Sequence, residues 1–271
     1  MYTKFKSKII DSHSHSNFSP DSKIDIEIAA ERISNLGLGG VAITDHLDLD
    51  TPDREPPFEF DIAEQQAAID RVQEHYAIKI LKGIEIGLQT ISLENIREKL
   101  KGHTFDTIIA SLHFVDGIDP YEGEYYIGKT EKEAYSRYLE LLFSLIKEYS
   151  NFDTLGHFDY IARYAPYENR TIEYSDLFDE MFKFLIYNGK ALEINTNTYR
   201  TRNGRTPVLD KNILKRYLQL GGELITIGSD AHTADRYGEQ FPKYLTLVKE
   251  CGFKYITHFE KRKPLPQKIE I

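Results

Sequence analysis

The 271-residue chain has no tryptophan and a single cysteine, Cys251. One thiol excludes an intrachain disulfide, and the absence of any CxxC pair argues against a structural zinc site. Cys251 lies in a Lys-Glu-Cys-Gly stretch that reads as a helix end, an ordinary place for a free thiol to pack. Long apolar runs are also missing: nothing approaches the roughly 18 residues of a membrane span, and the N-terminal stretch has no signal-peptide core. A cytoplasmic protein with no membrane partner is expected. Nor is there an excess of positive charge. With 34 Lys and Arg against 43 Asp and Glu, the net charge is −9, which argues against nucleic acid as a partner and favours a small substrate. Low-complexity tracts, fixed-period repeats and Pro/Gly/Ser-rich linkers are absent too, so residues 1–271 are expected to form one domain.

What is present is a globular balance of 41% hydrophobic and 28% charged residues. Short β-branched runs occur at Lys8 to Ile10, Gly40 to Ile43, Ile78 to Leu81, Thr107 to Ala110, Thr154 to Leu155, Ala191 to Ile194 and Leu224 to Ile227. They read as buried parallel strands. Between them, Ile24 to Leu36, Ile62 to Tyr76, Glu131 to Tyr149, Tyr174 to Tyr187 and Leu209 to Leu220 have helical spacing. This alternation predicts an α/β fold, either a closed barrel or an open doubly wound sheet, with the barrel favoured at this length. A polar loop is expected from Leu47 to Phe60.

Nearly every expected strand ends in a histidine or a carboxylate. The first leads into Asp11-Ser-His13-Ser-His15 and then Asp21, the second into Thr44-Asp45-His46, and the third into Gly83-Ile-Glu85. The fourth leads into Ser111-Leu-His113, the fifth into Gly156-His157-Phe-Asp159, and the seventh into Gly228-Ser-Asp230-Ala-His232. In a parallel barrel these ends meet at one mouth. Alternate residues project to one side of a strand, so His13 and His15 can face one ion, as can Asp230 and His232. Imidazoles suit Zn, Fe and Mn, and carboxylates can bridge two ions, so the set reads as a di- or trinuclear centre. Asp11, Asp45 and Asp159 read as partners that orient a ligating histidine through its other ring nitrogen, or as helix caps. His75, His103 and His258 fall outside the pattern.

Taken as an ordered set, these motifs resemble the polymerase and histidinol phosphatase (PHP) family of metal-dependent phosphoesterases, and the resemblance spans residues 11 to 232. Within that family the chain is most similar to the monofunctional bacterial histidinol-phosphate phosphatases. The stretches Gly156-His-Phe-Asp-Tyr-Ile-Ala-Arg163-Tyr and Leu192-Glu-Ile-Asn195-Thr-Asn-Thr-Tyr-Arg200 carry the narrower match. The resemblance implies a distorted seven-stranded (β/α) barrel. It also implies two or three divalent ions (Zn, Mn or Fe): one on His13, His15, Glu85 and Asp230, a second on Glu85, His113 and His157, and a third on Asp21, His46 and His232. Many members carry a histidine where this chain has Asp21. The implied reaction is hydrolysis of a small phosphate monoester, L-histidinol phosphate, by a hydroxide held between ions. Glu85, Asp230, His232 and Arg163 are then the catalytic residues, and Arg163 and Arg200 grip phosphate, with Arg202 and Arg205 close enough in sequence to take the place of Arg200. The acidic loop with Asp48, Asp50, Asp53 and Glu55 is a candidate for recognising the amino and imidazole groups, or simply a solvated face. Other readings are a PHP phosphoesterase for nucleotides or other phosphomonoesters, a non-catalytic module like those inside DNA polymerases, and an amidohydrolase-type barrel. The last usually has eight strands and a lysine ligand after the fourth, where this chain has Ser111-Leu112-His113.

Overall fold

A computed structural model describes residues 8–51, 58–173 and 175–270. Strands β1 (Ile10–Asp11), β2 (Gly40–Ile43), β3 (His46–Leu47), β4 (Lys79–Gly87), β5 (Thr107–Ser111), β6 (Thr154–Leu155), β7 (Ala191–Asn195) and β8 (Ile225–Gly228) form one sheet. Its order is β1-β2-β4-β5-β6-β7-β8, all parallel, with the short β3 pairing onto β4 beyond the end of β2. The sheet curls until its edges meet. The Ser12 amide donates to the Ile227 carbonyl at 2.9 Å, the Asp230 amide to the His13 carbonyl at 2.8 Å, and the His15 amide to the Ala231 carbonyl at 3.0 Å. The expected fold is therefore present: a nearly closed barrel of seven parallel strands, not an open sheet. Its strands are buried on both faces, which is why they read as continuous apolar runs.

Helices α1 (Ile26–Leu36), α2 (Ile62–Gln73), α3 (Leu93–Leu100), α4 (Glu131–Glu148), α5 (Asp176–Tyr187), α6 (Lys211–Gln219) and α7 (Phe241–Glu250) surround the barrel. In α1, Ile26, Ala29, Ala30, Ile33 and Leu36 make one buried stripe, and each large side chain so buried contributes roughly 1.5–3 kcal/mol. Caps set the helix limits more tightly than apolar periodicity suggests. Asp210 accepts from the Asn212 amide, so α6 starts at Lys211 and not at Leu209. The expected start of α5, Tyr174, lies outside the described residues.

A hairpin of β9 (Tyr255–Glu260) and β10 (Lys263–Lys268) follows α7 and covers the opposite end of the barrel. The Arg262 amide donates to the Asp106 carbonyl at 2.9 Å, and the Arg262 guanidinium pairs with Asp153. Asp106 and Asp153 immediately precede β5 and β6, so the hairpin covers the N-terminal ends of the strands and the C-terminal mouth stays open.

Candidate metal centre

Register explains how distant residues meet at that mouth. Ser14 and Ala231 form a parallel bridge, so their neighbours His13, His15, Asp230 and His232 all project to the opposite face. His46 on β3 is the register partner of Glu85 on β4, which puts the two side by side. Glu85 thus lies inside a nine-residue strand and not after it. His113 and His157 follow β5 and β6. Gly228 is needed here, because a Cβ at that position would collide with His13 and Glu193. Asp230 itself has a positive φ of 49°, a strained conformation for a non-glycine residue and one often found at functional sites.

The nine sequence-predicted donors converge in three overlapping groups. His13 Nε2 and His15 Nε2 lie 3.2 and 3.5 Å from Glu85 Oε2, and 3.9 and 3.3 Å from Asp230 Oδ1. His113 Nε2 and His157 Nε2 lie 3.4 and 2.8 Å from Glu85 Oε1 and 3.4 Å from each other. His232 Nε2 lies 3.1 Å from Asp21 Oδ2 and 3.4 Å from His46 Nε2. Donors bound tetrahedrally at about 2.0–2.2 Å from one ion stand roughly 3.3–3.6 Å apart, and most of these separations fall in or near that range, while the 2.8 Å between His157 and Glu85 is a hydrogen-bond distance. The other nitrogen of His46, Nδ1, is 2.9 Å from Glu85 Oε2, and the ring therefore stands between two groups.

Hydrogen bonding points the same way. His13 Nε2, His15 Nε2, His46 Nδ1 and Glu85 Oε2 are all buried with no hydrogen bond in acceptable geometry, though they face one another. Unsatisfied buried polar atoms cost about 1–3 kcal/mol each, a cost that a shared cation would remove. Burial disfavours the charged form of His113 more than any one neighbour favours it, but Asp48 and Glu85 together raise its pKa to about 10. His13 is likewise raised, against the effect of burial, by Glu193, Glu85 and Asp230. Glu85, despite burial, is held well below the usual carboxylate range by His13, His46 and His113. His15 and His157 shift the other way: burial first, then the neighbouring His232 and His46 for His15 and Arg163 for His157, push them toward the neutral form that ligates a metal.

The residues that orient the donors differ from those expected. None of Asp11, Asp45 and Asp159 touches a ligating ring. Asp11 accepts from the Ser229 and Gly238 amides and fixes the loop after β8, with burial raising its pKa to about 6. Asp159 accepts from the Tyr199 hydroxyl at 2.5 Å. Asp45 accepts from Ser16, Gln65 and the Ser19 hydroxyl, and Ser19 Oγ lies 3.1 Å from His15 Nδ1, so Asp45 acts through a serine. The direct carboxylate partners are Glu193, 2.7 Å from His13 Nδ1, and Asp48, 2.7 Å from His113 Nδ1. Asp48 is therefore not a solvated or substrate-facing residue of the acidic loop: it is buried, and the absence of a Cβ on Gly87 makes room for it. Asp50 accepts from Asn95, while Asp53 and Glu55 lie outside the described residues. His75, His103 and His258 stand apart from the cluster.

A cleft of about 750 Å³ opens onto the donors, lined among others by His46, His113, His157, Asp230, His232, Arg163 and Arg200. Arg163 is buried. Its Nη2 lies 2.9 Å from Asp230 Oδ2 and its Nε donates to Thr198 Oγ1 at 3.0 Å, while the guanidinium sits 5.0 Å from the centre of the Tyr160 ring. Arg200 reaches the cleft, whereas Arg202 and Arg205 do not line it. Arg205 instead donates to the Pro166 and Tyr167 carbonyls.

A parallel (β/α) barrel whose mouth gathers six histidines and three carboxylates offers several overlapping donor groups that could hold metal ions. The profile of the PHP domain family matches residues 11–197, and the chain belongs to that family. It is 32% identical to the histidinol-phosphatase of Lactococcus lactis, over 94% of this chain and 96% of that protein. It is 35% identical to a Clostridium acetobutylicum protein named "Probable histidinol-phosphatase", over 94% of this chain and 98% of that one. A crystal structure of the L. lactis histidinol phosphate phosphatase, complexed with zinc, L-histidinol and phosphate, superposes with a TM-score of 0.85 at 31% identity, covering 95% of this chain and 99% of that one.

Proposed function

We propose that the chain hydrolyses L-histidinol phosphate to L-histidinol and inorganic phosphate, using two or three divalent ions, Zn, Mn or Fe, in the barrel mouth. The convergence of the donor groups on Glu85, beneath a cleft lined by Arg163 and Arg200, is the observation that carries this reading. His13, His15, Glu85 and Asp230 would hold one ion, Glu85, His113 and His157 a second, and Asp21, His46 and His232 a third. Ions bound there supply Lewis acidity toward phosphoryl oxygens and bring water nearer its ionised form at neutral pH.

The remaining work is positioning and charge stabilisation, the main demands of phosphoryl transfer. Arg163 is held by Thr198 and Tyr160, so a phosphate in the cleft meets a preorganised cation. Arg200 is fixed by Glu239, Asn197 and the Ser229 carbonyl and supplies a second. Glu193 and Asp48 hold the His13 and His113 rings in the orientation that turns Nε2 toward Glu85. Tyr160, packed against the His113 and His157 rings, and the more exposed Tyr121, Tyr164 and Glu122 line the same cleft and suit the flat imidazole and the ammonium of the amino alcohol.

The test is a comparison of kcat/KM on L-histidinol phosphate, nucleoside monophosphates and p-nitrophenyl phosphate with metal-loaded protein. A preference for the first that chelator abolishes is expected; equal rates across the panel would leave only a general phosphomonoesterase. Glu122→Gln is expected to raise KM for L-histidinol phosphate roughly threefold to tenfold and to leave p-nitrophenyl phosphate unaffected, because only the former carries the ammonium. A matching rise for both substrates would remove Glu122 from amine recognition.

Asp21 tests the third ion separately. The side chain is 39% exposed; partial burial works against its charge, yet the hydrogen bond to His232 and the charges of His46 and His232 hold it well below the usual carboxylate range, and its Oδ2 stands 3.1 Å from His232 Nε2. Asp21→Ala is expected to lower metal content by about one equivalent while the Glu85-centred pair stays filled. Unchanged stoichiometry by elemental analysis would make Asp21 a loop residue.

A further inference from the structure

We infer that the chain has a second oxyanion site beside the metal centre: the groove between residues 199–206 and the start of α7 binds a phosphate dianion, free or as the end of a monoester. The groove has a volume of about 750 Å³ and is lined by Arg200, Arg202, Arg236 and Lys243, with Glu239 as its one acidic residue. Counting the neighbouring Asp235, which pairs with Arg236 at 3.6 Å, four cations against two carboxylates leave a local charge of +2 on a chain whose net charge is −9. A surface drawn at random from such a chain would be negative, so this concentration of positive charge points to an anionic ligand.

Pairing inside the groove does not neutralise it. Glu239 is shared between Arg200 Nε at 2.5 Å and Arg236 Nη1 at 2.7 Å, and Arg236 Nε also lies 3.6 Å from Asp235 Oδ2, which leaves Arg202 and Lys243 as the uncompensated cations among the described residues of the groove. Neither Arg202 nor Lys243 has a carboxylate partner among the described residues. Arg202 is held in place by hydrogen bonds to the Asn197 carbonyl and side chain, and its guanidinium sits 5.5 Å from the centre of the Tyr164 ring. Burial, then the nearby Arg163 and Arg200 cations, lower its pKa to about 10, as expected of a guanidinium crowded by like charge. Helix α7 starts in the groove wall at Phe241, but the Phe241 amide donates to the Gly238 carbonyl and Pro242 has no amide hydrogen, so the side-chain cations and not the helix end carry the positive potential. Arg200 lines both this groove and the catalytic cleft, so the two anion positions share a wall.

Equilibrium dialysis of metal-loaded protein against inorganic phosphate and, in a second arm, against methylphosphonate reads the number of sites. Two equivalents per chain are expected. Chelator should remove one and the Lys243→Glu variant the other, with Arg236→Gln weakening the same groove equivalent as an independent check. Lys243 is exposed, and Lys243→Glu is expected to keep wild-type turnover in dilute phosphate. Tighter groove binding of inorganic phosphate marks it as a site for the freed anion, and tighter binding of the phosphonate as a site for an incoming ester. One equivalent in the wild type, or two that survive both groove variants, would overturn the inference. Loss of a chelator-insensitive equivalent in Lys243→Glu would sustain it even if the proposed metal-dependent hydrolysis failed.

Discussion

Glu85→Gln is expected to lower kcat on L-histidinol phosphate by roughly a thousandfold or more, the upper end of what removing one preorganised charge-stabilising group costs. The reason is geometric. Glu85 Oε2 faces His13, His15 and His46, while Oε1 faces His113 and His157, so a single carboxylate serves five rings. An amide keeps the shape but removes the charge from both sides and turns one edge into a donor aimed at nitrogens that must accept a cation. Metal content should therefore fall with activity. Loss of an orienting partner such as Glu193 or Asp48 belongs to a smaller class of effect, about 10–100-fold. Glu85→Asp, which keeps the charge and shortens the reach, should recover part of the metal and less of the rate. Near-normal turnover with full metal in Glu85→Gln would show that Glu85 does not bridge the ions.

The barrel was legible because each parallel strand is buried on both faces and so appears as a short β-branched run. The metal cluster was legible because barrel topology sends every strand end to one mouth. What escaped the sequence were residues whose role depends on register. Glu193 sits inside the apolar run Ala191 to Ile194, and only the pairing of neighbouring strands shows that it points at His13. A fully buried acid in such a run is itself the signal that could have exposed it. Asp48 was hidden among the acidic residues of its own loop, whereas its burial follows from β3 pairing onto β4 and from the space above Gly87. The closing hairpin was obscured by Pro264 and Pro266, which argue against a central strand but are tolerated on the edge position that β10 occupies.

Arg163→Ala is expected to lower kcat/KM by roughly a hundredfold. Charge-assisted hydrogen bonds to phosphate are worth about 1.5–3 kcal/mol, a factor of ten to more than a hundred. Its buried pairing with Asp230 adds a second consequence, because truncation removes the cation beside a carboxylate that would also hold an ion. Asp230 is not left without partners: Asn197 Nδ2 lies 3.0 Å and Asn195 Nδ2 3.3 Å from the same Oδ2. Metal content is therefore expected to stay near wild type while the rate falls. If Arg163 grips ground state and transition state equally, the loss appears in KM alone; if it follows charge developing on the phosphoryl oxygens, kcat falls as well. Arg163→Lys should recover only part of the function, since an ammonium keeps the charge but cannot span Asp230, Thr198 and a phosphate oxygen with one planar fork. Unaltered kinetics in Arg163→Ala would take the arginine out of the reaction, and a matching loss of metal would make it a structural brace for Asp230.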